Sequence, residues 1–222
     1  MAGRLRGTAV LLLLAGALLA LFLVRGLMGR GEKPAAPARR PPEKAGTIML
    51  EGYPEKFRFV LFAPEGFPFT TYVPQDLFAE EVVADGGRSV RFVANFAGRR
   101  TDLAYLQVFF YPEGTREDQA RALFGSLPAA LGFTPVGRRT DVPCTFAWSL
   151  AETTFQRKGW RGEVYRGEMA LGRHGRRFFH LILHYPEEFA EGFVPRAYAV
   201  LSEWRWTEGT PGAGLTPERP RR

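Results

Sequence analysis

The sequence predicts an α+β fold: an antiparallel sheet of about six or seven strands flanked by helices, behind an N-terminal membrane-anchoring helix. Three observations predict it. Residues 145–185 read as three consecutive strands whose apolar and polar side chains alternate with period two. Two segments, 115–131 and 186–204, carry apolar residues about one helical turn apart. Residues 8–24 form an uncharged run of mostly Leu and Ala behind Arg4 and Arg6.

The meander sets the architecture. In its first run, 146–156, Phe146, Trp148 and Leu150 are expected on one face. A turn over 157–162 with two glycines leads to a second run, 163–171, where Tyr165, Met169 and Leu171 share a face. After the turn 172–175, the third run, 177–185, is apolar on both faces apart from His180 and His184, which is the pattern of an interior strand covered on both sides. A sheet covered on both sides requires helices.

Composition bounds the rest. The 222 residues are 45% hydrophobic and 14% aromatic, enough for one globular domain with appendages and not the composition of a disordered chain. A core of about 160 residues buries roughly 70% of the surface of its unfolded chain and needs neither disulfide nor metal to fold. The single Cys144 excludes a disulfide scaffold. The net charge of +7 is unevenly spread: residues 1–45 carry +6, residues 46–208 carry −1 and residues 209–222 carry +2. The basic character therefore belongs to the flanks, and with no nucleic-acid motif in the domain a nucleic-acid partner is not expected. Basic flanks beside a bilayer suit anionic head groups.

Residues 1–7 form a short flank and residues 8–27 an expected transmembrane signal anchor, with a cleaved signal peptide as the alternative and no cysteine following to mark a lipoprotein. Basic residues on both sides of the run give no vote on orientation, and with so short a flank the domain is expected outside the cytoplasm. Residues 28–46, with Pro34, Pro37, Pro41 and Pro42 among alanines and basic residues, read as a semi-extended linker. The globular domain is expected over 47–208. It opens with a strand near 56–63, a turn at Pro64-Glu-Gly-Phe67, a short extended piece at 69–73, and a hairpin of 80–84 with 88–96 around Asp85-Gly86-Gly87. Another strand spans 104–111. The helix from Thr115 meets Pro128, where a kink or break is expected, and Pro195 stands in the last helix. The Pro/Gly/Arg-rich tail 209–222 reads as disordered.

This order of elements, with the Pro64-Glu-Gly-Phe67 turn, the aromatic strand 105–111, the meander and a closing helix ending at Trp204, resembles the PsbP/Mog1-like α-β-α sandwich over about residues 47–206. The resemblance implies an accessory or binding protein and assigns no site residue.

The candidate chemistry is sparse. His180-x-x-x-His184 on a helix would chelate zinc, but on a strand positions i and i+4 lie about 13 Å apart and one metal cannot bridge them. No metal site and no cofactor are therefore expected. Glu152, Arg166, Glu168, His180 and His184 are the polar positions of the meander, and they form a ligand pocket or an acid/base site only if register puts them on one sheet face. Cys144 lacks a nucleophile's flanking motif. Trp160, in a turn between Lys158 and Arg161, is a candidate contact for a partner, lipid head groups or an envelope polymer. Without a phosphate loop, nucleophile elbow or metal-spaced Cys/His cluster, the sequence points to a membrane-anchored extracytoplasmic binding or accessory module without catalytic activity. The alternatives are a hydrolase using Glu152, Glu168 or His180, and a module for an anionic envelope polymer.

Overall fold

In the computed structural model, the described residues are 40–84, 86–136, 146, 148–207 and 215. The expected signal anchor, most of the linker, Asp85, Cys144 and nearly all of the tail lie outside them. Among the described residues, no helix is long and apolar enough to cross a membrane.

The chain folds as two antiparallel sheets. A four-stranded sheet has the order β1-β2-β3-β11, from β1 (Glu43–Leu50), β2 (Tyr53–Phe62), β3 (Phe69–Pro74) and β11 (Arg205–Trp206). A seven-stranded sheet has the order β4-β5-β6-β10-β9-β8-β7. Its strands are β4 (Leu77–Ala84), β5 (Gly87–Phe96), β6 (Arg99–Phe110), β7 (Thr134–Pro135), β8 (Ser149–Lys158), β9 (Val164–His174) and β10 (Arg177–Pro186). The helices are α1 (Glu117–Ala130) and α2 (Ala190–Ser202), the latter entered through a 3-10 turn at Glu187–Phe189. Strand β1 begins inside the segment that composition marked as linker, and the compact unit starts at Pro41. Alanine, glycine and proline content hid a strand whose inward side chains, Ile48 and Leu50, are buried.

The turns follow from backbone chemistry. Leu50 pairs with Tyr53 and Phe96 with Arg99, so each hairpin closes through two residues, and both central positions have positive φ: Glu51 49° and Gly52 86°, Ala97 52° and Gly98 75°. This is the sign pattern of the hairpin turns that match strand twist. Ala97 adopts a left-handed conformation that costs a side-chain-bearing residue about 1 kcal/mol. Ala97→Gly is therefore expected to stabilise the domain by about 0.5 kcal/mol, read as a higher denaturant midpoint at unchanged slope.

A helix packs on each face of the large sheet. Helix α1 buries Ala120 and Phe124, one turn apart, against Met169, Leu171, Phe178 and Ile182. Its start is fixed by the Gln119 side chain, whose Oε1 accepts the Arg116 N–H at 3.0 Å, with Glu117 and Asp118 in the first turn. Pro128 does not break the helix, because it falls within the last turn and the chain ends the helix two residues later. On the opposite face, α2 buries Phe193, Ala197, Val200 and Leu201 against Leu181, Leu183 and Ala170. Pro195 likewise leaves α2 uninterrupted, its missing N–H forgoing one bond, to the Glu191 carbonyl. Trp204 follows α2 with no exposed surface and stacks on Phe69 of β3, ring centroids 3.6 Å apart, joining the helix to the small sheet.

One expected face is split. Phe146 and Trp148 pack on the α2 face, whereas Leu150 packs on the α1 face. The cause is an irregularity in β8: Ser149 pairs with Gly172 and Ala151 with Leu171, so the period-two alternation slips between them.

Candidate functional site

Strand β10 lies at the centre of the sheet, and its register decides which polar residues meet. His180 pairs with Leu171 and Phe109, and His184 with Gly167 and Tyr105, so both histidines point to the α1 face. Glu168 sits opposite Leu183, Arg166 opposite Tyr185, and Glu152 opposite Ala170, all on the α2 face. The five candidate residues thus do not converge: the sheet stands between the histidines and the carboxylates. Because side chains alternate, an odd spacing along or across paired strands sends two groups to opposite faces.

The histidines are core residues. His180 Nδ1 lies 3.0 Å from the Tyr111 hydroxyl, and burial lowers the His180 pKa to about 3. His184 Nδ1 donates to the Leu103 carbonyl at 2.8 Å, which fixes the tautomer and leaves Nε2 as the lone-pair nitrogen. That carbonyl is available because β6 bulges: Val93 pairs with Tyr105 but Ala94 pairs with Thr101, so residues 102–104 fall outside the β5 ladder. Nε2 is buried without a hydrogen-bond partner, and burial, opposed by the Leu103 carbonyl, lowers the His184 pKa to about 4. The ring is stacked among Tyr105 at 5.0 Å, Tyr165 at 5.3 Å, Phe133 at 5.4 Å and Phe155 at 6.2 Å. Gly167 makes room for this packing, since a Cβ there would meet Phe155 Cζ at 2.3 Å and the Leu183 carbonyl at 2.0 Å.

The carboxylates sit under α2. Tyr198 of that helix donates its hydroxyl to Glu168, 3.3 and 3.2 Å from the two carboxylate oxygens. Desolvation raises the Glu168 pKa; the Tyr198 bond opposes this and the Glu152 charge adds to it. Glu152 Oε1 accepts the Phe146 N–H at 2.9 Å and the Ser149 hydroxyl at 2.7 Å. Arg166 is turned outward and paired with Glu187 at 2.7 Å. Glu168→Gln keeps an acceptor for Tyr198 and removes a charge that burial penalises. It is expected to stabilise the fold at pH 8. The sign follows from the raised pKa: the wild-type penalty exists where the carboxyl is ionised, so the gain disappears as pH falls. Thermal unfolding of both proteins at pH 8 and pH 4 measures it.

Trp160 has a different setting. It is 85% exposed at the tip between β8 and β9, with the Arg161 guanidinium 4.2 Å from its ring centroid. The tip is ordered by its own hydrogen bonds: Gly159 N–H to the Glu163 carbonyl at 2.7 Å, Gly162 N–H to the Gly159 carbonyl at 3.1 Å, and Arg161 N–H to Glu163 Oε2 at 3.1 Å. Gly162, at φ 89°, supplies the turn. Among the described residues, no group of three or more His, Cys, Asp or Glu is placed to hold a metal ion.

No family model matches the chain, and no curated protein matches it. Solved structures similar to the chain include two of low identity. A Bacteroides thetaiotaomicron VPI-5482 crystal structure is 14% identical with a TM-score of 0.42, over 67% of this chain and 48% of its own, so the chain spans about half of that protein. The solution structure of cyanobacterial PsbP (CyanoP) from Synechocystis sp. PCC 6803 is 11% identical with a TM-score of 0.38, over 67% of this chain and 92% of its own.

Proposed function

We propose that the protein is a membrane-anchored, extracytoplasmic binding or accessory module, non-catalytic, that engages its partner through the β8–β9 tip. The observation that carries this reading is Trp160: a large aromatic held out in water on an ordered turn, with a cation stacked on it. Burying such a side chain in a partner's pocket yields far more free energy than its present position, and Trp and Arg are the residue types that dominate interface energetics. The separation of the histidines from the carboxylates removes the Glu/His constellation a hydrolase would use. What remains on the α2 face, Glu152 with Glu168, is the feature that favours the enzymatic alternative. There Glu152 is occupied by Phe146 and Ser149, and Glu168 by Tyr198.

The apolar run at 8–24 and the basic residues that follow it support attachment to a bilayer. Fractionation of cells expressing the full chain tests this. The protein should stay with membranes through an alkaline carbonate wash, and a chain lacking residues 8–27 should be released. Release of the full chain by the wash would refute the anchor. The binding role of the tip is tested separately by crosslinking from position 160.

A further inference from the structure

We propose that Arg91 is the anchor of a carboxylate-binding site on the part of the large sheet's α1 face formed by β4, β5 and β6. The main contacts of α1 fall on β7, β9 and β10, away from this area. Register places Phe78 and Glu80 of β4, Arg91 and Val93 of β5, and Tyr105 and Gln107 of β6 on this one face. Phe78 remains 48% exposed there.

Arg91 is held in place before any ligand arrives. Its Nε and Nη2 both donate to Gln107 Oε1, at 3.2 and 2.7 Å, and its guanidinium lies 4.6 Å from the Tyr105 ring centroid. Gln107 is fixed in turn: its Nε2 donates to Ser89 Oγ at 3.3 Å, and that hydroxyl donates to the Val82 carbonyl at 3.0 Å. The carboxylate that register sets opposite Arg91 is Glu80, but Arg100 takes both Glu80 oxygens, at 2.8 and 2.9 Å, and Asp102 as well. Arg91 therefore has no carboxylate partner among the described residues. A guanidinium oriented by a neutral amide and an aromatic ring keeps its full charge and its three remaining N–H donors, two on Nη1 and one on Nη2, for an incoming anion, and its ordering cost is already met. Phe78, beside it, suits a carboxylate carried on an apolar group. Such a group comes either from a free organic acid or from an Asp or Glu flanked by apolar residues on a partner protein. This site is independent of the β8–β9 tip.

Benzoate and its neutral isostere benzamide, titrated at constant ionic strength into the full chain in detergent micelles, test the site. The readout is the NMR signal of the Arg91 Nε–H. Benzoate should shift it saturably in the millimolar range and benzamide should not. Arg91→Lys retains the charge but lacks the planar fork, and should weaken the benzoate effect on thermal unfolding about tenfold. Arg205→Met removes a guanidinium of the small sheet that donates to the Ser202 and Trp204 carbonyls, and should leave the effect unchanged. Equal responses to benzoate and benzamide would overturn the proposal. So would full affinity in Arg91→Lys, or loss of the effect in Arg205→Met alone. The capped peptide acetyl-Phe-Asp-Phe-amide separates the two sources: binding at least tenfold tighter than benzoate assigns a protein carboxylate, and weaker binding assigns a free acid.

Discussion

Trp204→Ala is expected to cost about 3–5 kcal/mol, the range for truncating a large buried aromatic. The side chain has no exposed surface, and its stack on Phe69 is the contact through which α2, the small sheet and Phe110 of the large sheet share one core. Phe69 lies 5.8 Å from Phe110 and Trp204 lies 5.7 Å from Trp206, which in turn meets Phe179 at 5.2 Å. Alanine would leave a cavity between layers that cannot close, since strands on both sides are fixed by their ladders. For a domain of this size the loss corresponds to a fall of roughly 10 °C or more in the unfolding midpoint. Trp160→Ala is the contrast: its ring packs on no core residue, and the midpoint should move by about 1 °C or less. Calorimetry of the two variants beside wild type reads both effects.

Acid should destabilise the fold well before its surface carboxylates titrate. Burial holds His180 at about 3 and His184 at about 4, against 6.5 when unfolded. A pKa lowered on folding means that the unfolded chain binds more protons between the two values. Stability is therefore full above about pH 6.5 and declines as pH falls through the window toward 4 and then 3. Each unit of difference is worth about 1.4 kcal/mol, so the two histidines together withdraw several kcal/mol by pH 4. Glu168 works in the opposite direction, because its raised pKa makes its penalty vanish in acid, and it softens the decline without reversing it. The lowered pKa values of Glu43 and Asp118, each from a hydrogen bond to an arginine, act only below pH 4.5. Denaturant unfolding at intervals from pH 7 to pH 4 should show a slope that His184→Gln reduces. A flat profile over that range would contradict the burial of neutral imidazoles.

The strands of the meander and both helices were legible in the sequence because period-two and helical spacing are local signals. The side on which each polar residue falls was not. It depends on registers such as Ser149 with Gly172 followed by Ala151 with Leu171, and a slip of one residue there moved Leu150 to the other face from Trp148. The bulge at 102–104 likewise has no marker in the chain, yet it supplies the carbonyl that holds His184. Gly167 was the available clue: a glycine inside a strand opposite a histidine signals that something large must lie over it, here Phe155. Strand β1 was missed because prolines and alanines before Glu43 masked its start. Arg91 was missed because an arginine in a hairpin reads as a solvated cation; only the engagement of Glu80 by Arg100 shows that it stands without a carboxylate. The exposed position of Trp160 was legible, since no apolar periodicity included it and the turn around it was polar.

Site-specific photo-crosslinking in the native membrane tests the binding reading most directly. A photoreactive residue is placed at position 160 of the full-length chain and, as a control, at the exposed Tyr53 on the β1–β2 turn. One discrete crosslinked species is expected from position 160, absent from position 53 and lost when Arg161→Glu is added. No discrete product from position 160, or the same products from both positions, would contradict a partner seated on the β8–β9 tip.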